Sequence, residues 1–302
     1  MTRTIYCLFS GGRDSAIACA IAKRVADARG WNYVLIHIDT GTALPGVKEY
    51  VVEYARWLGI KYAAYYVMDE LIALNCGGGG SRVLMLVIVR TDFEYWRGVE
   101  EWGYPLYWDR RWCKTYLKDR PLFTFLGPMY RPGDVVVMGI RKDESLYRER
   151  EFKRAFYKYR HRNGMWIYYW LPLLHADDAV VNKLARRLGI PTSPVWRVGF
   201  SGECMCMAGM SKSKLDRVID EYPEYAEEMA RRDEEVQRKR RSGTPAYPAP
   251  LVKVKITLHD YVRDRLRKRE GQTSIMDFIE YTGSSCAGTC MLPIGRARPW
   301  RA

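Results

Sequence analysis

Residues 10–15 read Ser-Gly-Gly-Arg-Asp-Ser, set between the apolar run Ile5, Cys7, Leu8, Phe9 and a helical repeat of Ala16, Ile17, Ala20, Ile21 and Val25. A strand that passes into a helix through two glycines constrains the fold more than any other stretch of this chain. Gly11 and Gly12 allow a tight turn and put no Cβ in the way of a ligand. Ser10, Asp14 and Ser15 offer either a helix cap or hydrogen bonds to an oxyanion. The open N–H groups and the positive dipole end of the helix favour a phosphate. Gly30 stands where the helix needs its C-terminal cap. Alone, such a turn is equally a plain tight connection, so the rest of the chain decides its meaning.

The same alternation continues. Tyr33–Ile38 reads as a strand ending in Asp39-Thr40-Gly41, and Val47, Tyr50, Val51, Tyr54 and Leu58 form one face of a helix that stops at Gly59. Lys61–Val67 predicts a third strand, and Val83–Val89 a buried strand or part of a core helix. Asp134–Ile140 reads as a strand buried on both faces, and Asp177-Asp178 open a helix closed by Gly189. Strands alternating with amphipathic helices predict an α/β three-layer sandwich with a mostly parallel twisted sheet. In such sheets ligands gather at the carboxyl ends of the strands. The segments Ser10–Ser15, Asp39–Gly41 and Gly139–Ser145 all fall at such ends. A phosphate-binding domain is expected over residues 1–200. Residues 201–302 are expected to form a mainly helical, cysteine-bearing appendage, with a helix over 211–241, a linker over 242–250 and a basic tail.

No apolar stretch approaches the ~18 residues needed to span a bilayer, and the N-terminus enters a strand almost at once. The expectation is a cytoplasmic protein with no membrane partner. The net charge is +14, from 49 Lys+Arg against 35 Asp+Glu. Such a field draws nucleotides and nucleic acids alike, or belongs simply to a solvated surface. Of eight cysteines, Cys7 and Cys19 fall on the first strand and helix and read as packing residues. Cys76 (followed by four glycines), Cys113, Cys204, Cys206, Cys286 and Cys290 lie in loops or at element ends. In a reducing compartment that placement points to metal more than to disulfides.

Five motifs in order give the chain a resemblance to the phosphoadenosine phosphosulfate (PAPS) reductase branch of the PP-loop ATP pyrophosphatases, of adenine nucleotide α-hydrolase-like fold. Ser10–Ser15 resembles the PP-loop, and Asp39-Thr40-Gly41 with Pro45 resembles the family's Asp-Thr-Gly segment. Cys113 to Lys118, then Pro121, is similar to its Cys-x4-Lys-x2-Pro segment. Gly139-Ile140-Arg141-Lys142-Asp143-Glu144-Ser145 with Arg148 is similar to Gly-x-Arg-x-x-Glu-Ser followed by Arg. Leu171-Pro172-Leu173, Pro194-Val195-Trp196 and Gly202-Glu203-Cys204 resemble the closing part of the domain. Four positions depart from the pattern. Arg13 stands for the usual Lys, Gly46 for a Glu, and Cys113 is alone where cluster-bearing reductases carry adjacent cysteines. The tail holds Cys286-Ala-Gly-Thr-Cys290 in place of the reductases' Glu-Cys-Gly-Leu-His.

The resemblance implies chemistry on ATP or on an adenylyl sulfate (PAPS or APS). Ser10, Gly11, Gly12, Arg13, Asp14 and Ser15 would hold a phosphate or sulfate group, with Asp39, Thr40 and Gly41 beside the nucleotide. Gly139, Arg141, Glu144, Ser145 and Arg148 would complete the nucleotide site, and Lys118, Arg141 and Arg148 would clamp anionic oxygens. Asp14, Lys118, Arg141 and Cys113 are the candidate catalytic residues. Room is left for a magnesium ion on the phosphates and for a homodimer.

Cys204-Met-Cys206 and Cys286-x3-Cys290 are two close pairs that, folded together, would supply four thiolates to an iron–sulfur cluster or to zinc. The family precedent is a [4Fe-4S] cluster. Cys113 would replace one ligand or carry sulfur. From Arg148 to Arg162, Arg and Lys are interleaved with Phe152, Phe156, Tyr157 and Tyr159. The plain reading is an exposed helix whose aromatics pack on the sheet, and the other is contact with the phosphates and bases of RNA or DNA. Two enzyme activities follow. One is ATP-dependent adenylation of a nucleic acid followed by sulfur transfer from a donor. The other is reduction of PAPS or APS to sulfite by a thiol reductant. A nucleotide- and cluster-binding regulator without turnover is a third reading.

Overall fold

The computed structural model describes residues 2–67, 70–74, 82–106, 111–161, 164–200, 202–240 and 246–269. The first half runs β1 (Thr4–Leu8), α1 (Arg13–Arg29), β2 (Asn32–Asp39), α2 (Val47–Trp57), β3 (Tyr62–Val67), β4 (Glu70–Leu74) and β5 (Leu84–Arg90). Then come α3 (Tyr95–Trp102), α4 (Trp112–Lys114), a π-helical turn (Thr115–Asp119) and α5 (Arg120–Met129). The chain continues through β6 (Val135–Val137), α6 (Leu146–Glu151), β7 (Phe156–Arg160), β8 (Trp166–Trp170), α7 (Asp178–Leu188) and α8 (Pro194–Arg197). It closes with α9 (Lys212–Glu221), α10 (Pro223–Lys239) and α11 (Leu258–Arg269).

The strands form one sheet in the order β4-β3-β5-β2-β1-β6-β8-β7. Every pairing from β3 across to β8 is parallel, and only the outer pairs β3–β4 and β7–β8 are antiparallel. After β1 the chain builds outward through β2 on one side, then returns to place β6 on the other. The switch point is therefore at β1, where open α/β sheets bind ligands.

The strands bury both faces because their side chains alternate. Ile5, Cys7, Tyr33 and Leu35 join the larger core with α1 and α2, whereas Tyr6, Val34 and Ile36 join the smaller one with Leu122, Phe125 and Leu126 of α5. Helices thus cover both faces, the sandwich expected from the sequence. Residues 83–89 fall to a strand: β5 lies between β2 and β3, and Val87 and Val89 face one core while Leu86 and Ile88 face the other.

Several expectations need correction. The helix expected over 211–241 is two helices, because Pro223 cannot continue α9 and instead starts α10. The strand expected over 134–140 shortens to β6, with Gly139 beyond it. The basic segment 148–162 is not one exposed helix: α6 ends at Glu151 and the chain re-enters the sheet as edge strand β7. Cys7 and Cys19 are buried, as packing residues should be, but they are also disulfide-bonded to each other across β1 and α1. Cys76, Cys286 and Cys290 lie outside the described residues. Among the described residues, no helix is long and apolar enough to cross a membrane.

Candidate functional site

The glycine turn is built by local hydrogen bonds. Ser15 Oγ donates to Gly12 O at 2.9 Å, lies 3.0 Å from Ser10 Oγ, and accepts from Ser10 N at 3.2 Å. Gly11 has a φ of +73°, a region where a side chain is strained. Gly12 caps α1 without any side-chain hydrogen bond, so no cap competes with an anion for the first-turn N–H groups. Gly139 presses on this turn: a Cβ there would stand 2.5 Å from Ser15 N and 2.6 Å from Asp14 O. Only glycine lets the loop after β6 close on the start of α1.

Two arginines and three aspartates lock this corner. Arg141 donates from Nε to Asp14 Oδ2 at 2.6 Å, from Nη1 to Asp143 Oδ2 at 2.7 Å, and from Nη2 to Asp178 Oδ1 at 3.0 Å. Arg13 donates to Asp14 Oδ1 at 3.2 Å, to Asn182 Oδ1 at 2.8 Å and to Asp178 Oδ1 at 2.7 Å. Burial works against the Arg141 charge, but the three carboxylates outweigh it and raise its pKa. Glu144 pairs with Arg148 and accepts from Arg141 N, and Ser145 caps α6 through Arg148 N. A cavity of about 230 Å³ opens beside this set, with Trp196 and Phe200 on its other wall.

At the end of β2, Asp39 accepts from Gly41 N at 2.9 Å and pairs with Lys48 Nζ at 3.0 Å. Burial would raise its pKa, yet these partners hold the carboxyl below its usual range. Thr40 Oγ1 donates to Glu203 Oε1 at 2.9 Å. A larger cavity, about 600 Å³, is lined here by Asp39, Thr40, Gly41, Arg90, Tyr95 and Tyr225, among others.

Residues 202–206 tie the glycine turn to the thiols. Gly202 packs on Ser10, Glu203 N donates to Ser10 O at 2.8 Å, and Met205 N donates to Thr42 O at 3.1 Å. Cys204 Sγ is 3.5 Å from Thr42 Oγ1, and Cys206 Sγ is 3.6 Å from Cys113 Sγ. Lys118, on the π-helical turn that follows Cys113, faces all three sulfurs; Cys204 is the strongest influence raising its pKa. The hydrogen bond with Cys206 lowers the Cys113 pKa, aided by Lys118 and Arg111, while Cys204 and Cys206 are raised. Cys113 is thus the thiol most readily ionised. Among the described residues, no group of three or more His, Cys, Asp or Glu side chains has the geometry to hold a metal ion.

The sequence-predicted residues of the turn, of Asp39–Gly41 and of Gly139–Arg148 therefore meet at one sheet edge, with Cys113, Lys118, Cys204 and Cys206 alongside. Sequence reasoning missed Asp178 and Asn182 as partners of the arginines. Asp178 was visible only as part of a helix start, and Asn182 follows it by one helical turn. It also missed His37, whose Nδ1 lies 2.9 Å from Phe9 O while Nε2 faces Glu203 Oε2 at 3.9 Å. A lone histidine on a strand gives no such signal.

Fold and loop placement define an α/β protein with a mostly parallel sheet covered by helices on both faces and a glycine turn at the switch point of that sheet. No protein-family model matches the chain. It is 27% identical to the uncharacterized protein MJ0066 of Methanocaldococcus jannaschii over 224 residues, which is 72% of this chain and 39% of that protein. It is likewise 27% identical to the uncharacterized protein MJ0973 of the same organism over 228 residues, 72% of this chain and 44% of that one. The chain thus spans less than half the length of these relatives. Among solved structures, the crystal structure of a PAPS reductase from Candida auris in phosphate complex aligns with a TM-score of 0.43 and 13% identity. That alignment covers 66% of this chain and 79% of the other.

Proposed function

We propose that this protein binds ATP at the glycine turn, adenylates a carbonyl oxygen (or a related group) on a nucleic acid, and directs sulfur to displace AMP. The observation that carries this reading is the strap of residues 202–206. It hydrogen-bonds the phosphate turn at Ser10 and places Cys206 beside Cys113, so phosphate and thiol chemistry share one edge.

Ser10, Gly11, Gly12, Arg13 and Ser15 hold the phosphates through the turn and the start of α1. Arg141, Arg148 and Lys118 stabilise the negative charge that builds as the acceptor oxygen attacks the α-phosphorus and pyrophosphate leaves. Asp14 orients Arg141 and Arg13, and Asp39, Thr40 and Gly41 receive the nucleoside end. Gly139, Glu144 and Ser145 shape the loop that carries Arg141 and Arg148. Cys113, the most acidic of the three thiols, takes sulfane sulfur from a persulfide donor whose thiol leaves. The outer sulfur of the Cys113 persulfide then displaces AMP, and a thiol reductant cleaves the resulting disulfide to free the thiolated product. Thiolates are the donors an iron–sulfur cluster takes, with zinc as the alternative, and the described residues supply only part of such a set. Cys204 and Cys206 would be ligands together with Cys286 and Cys290, and the bound group would hold sulfur near the nucleotide.

A second reading, reduction of PAPS or APS, is favoured by the same lowered Cys113 pKa, since a thiolate is the nucleophile that attack on a sulfate sulfur requires. Protein purified without oxygen separates the two. Pyrophosphate release from ATP that rises with bulk RNA, and is lost in Asp14→Ala, supports adenylation. Sulfite production from an adenylyl sulfate, without pyrophosphate release from ATP, supports reduction.

A further inference from the structure

The edge ribbon of β7 and β8 presents a face that the phosphate and thiol chemistry does not use. Phe156 pairs opposite Trp170, Lys158 opposite Tyr168 and Arg160 opposite Trp166, so these six side chains share one face. The opposite face carries Ile167 and Tyr169 into the core against α5. On the open face, Lys158 Nζ stands 4.6 Å from the Trp166 ring centroid and 5.4 Å from that of Tyr168, and Arg160 stands 6.0 Å from Trp166. Phe156 stacks on Tyr168 at 5.9 Å and 21°. Phe156 and Trp166 remain 53% and 49% exposed, large values for such rings. The face contains no acid, and neither Lys158 nor Arg160 pairs with a carboxylate among the described residues.

We propose that this face binds single-stranded nucleic acid, the cations taking phosphates and the open rings taking unpaired bases. Exposed rings interleaved with unpaired cations are the composition of single-strand platforms. A chain of charge +14 attracts such a polyanion from a distance. Unpaired bases are favoured over a duplex because a duplex keeps its ring faces stacked internally. The Phe156–Trp170 end adjoins the candidate site: Leu171 N donates to Ala155 O, and Lys142 N in the Arg141 loop donates to Leu174 O. The platform therefore leads a strand toward the nucleotide, which rests on the reading of a nucleic-acid acceptor above.

The test is fluorescence anisotropy of the full chain with a labelled single-stranded RNA, and with the same RNA annealed to its complement. The variants are Trp166→Ala and the double variant Lys158→Gln/Arg160→Gln; Arg187→Gln, an exposed cation of α7, is the control. Each platform variant is expected to weaken single-strand binding by about tenfold or more. The double variant should also flatten the dependence of log K on log salt by roughly 1.4, and the control should change nothing. Unchanged affinity in both platform variants overturns the proposal, as does tighter binding to the duplex. It is equally overturned if the variants convert a dimer to a monomer in sedimentation while RNA affinity holds, since β7 would then be a contact between copies. Pyrophosphate release separates this claim from the adenylation reading. Loss of RNA binding in the variants, with no ATP cleavage by the wild type, keeps the platform and removes adenylation. RNA-stimulated cleavage with RNA affinity intact in the variants does the reverse.

Discussion

Arg141 Nε donates to Asp14 Oδ2 at 2.6 Å, joining the loop after β6 to the first turn of α1 across the switch point of the sheet. Arg141 is 4% exposed, and its removal leaves Asp14, whose side chain is 13% exposed, without its closest partner. Arg141→Ala should destabilise the fold by about 1–3 kcal/mol, read from urea denaturation, chiefly through the lost charged hydrogen bond to Asp14. It should also abolish ATP binding by calorimetry. Arg141→Lys should recover part of the stability but not the three-way geometry, because an ammonium lacks the planar fork.

Gly139 tests the same junction sterically. Gly139→Ala places a Cβ against the backbone of Asp14 and Ser15, so the turn must shift. The expected result is a loss of about 1–3 kcal/mol together with loss of nucleotide affinity. Gly127→Ala in α5 is the contrast: its Cβ meets nothing within 4 Å. That change should be stabilising by about 0.5–1 kcal/mol, because alanine favours a helix interior.

Glu203 gives a pH signature. Burial pushes its carboxyl from an ordinary value of 4.5 up to about 7, against the pull of His37 and Lys118. Between those values the folded protein holds a proton that the unfolded chain has released, so stability falls as pH rises. The contribution is intact below 4.5, lost progressively up to 7, and constant above it. The total is on the order of 3 kcal/mol. Urea denaturation across this range should show the decline in the wild type and a smaller one in Glu203→Gln.

Asp233 anchors the last described helix. Fully buried, it accepts from Tyr104 Oη at 2.8 Å, Gln237 Nε2 at 3.0 Å, and His259 N at 3.0 Å, and His259 Nδ1 lies 2.7 Å away. Asp233→Ala orphans these groups and should cost about 3 kcal/mol. Hydrogen exchange in residues 258–269 should accelerate first as α11 loosens.

What the sequence revealed was what local physics decides. The glycine turn, the α1 repeat and the cap at Gly30 depend on adjacent residues, and all three form as read. Residues 156–160 were harder: Phe-Tyr-Lys-Tyr-Arg has no clean apolar alternation, and its strand character comes from pairing with β8. The break at Pro223 was readable from the proline alone. The Cys113–Cys206 contact spans 93 positions, and the Arg13–Asp178 pair spans 165. Spacing along a chain carries no information about such meetings, so the thiol cluster and the carboxylates that hold Arg13 and Arg141 needed the fold.

The most direct measurement incubates the oxygen-free protein with ATP, bulk RNA, a persulfide sulfur donor and a thiol reductant, then analyses the RNA nucleosides by mass spectrometry. The account expects a nucleoside in which sulfur has replaced oxygen, formed only with ATP, with AMP and pyrophosphate released together and both lost in Arg141→Ala. Intact ATP and unmodified RNA, with sulfite released from an adenylyl sulfate instead, would contradict it.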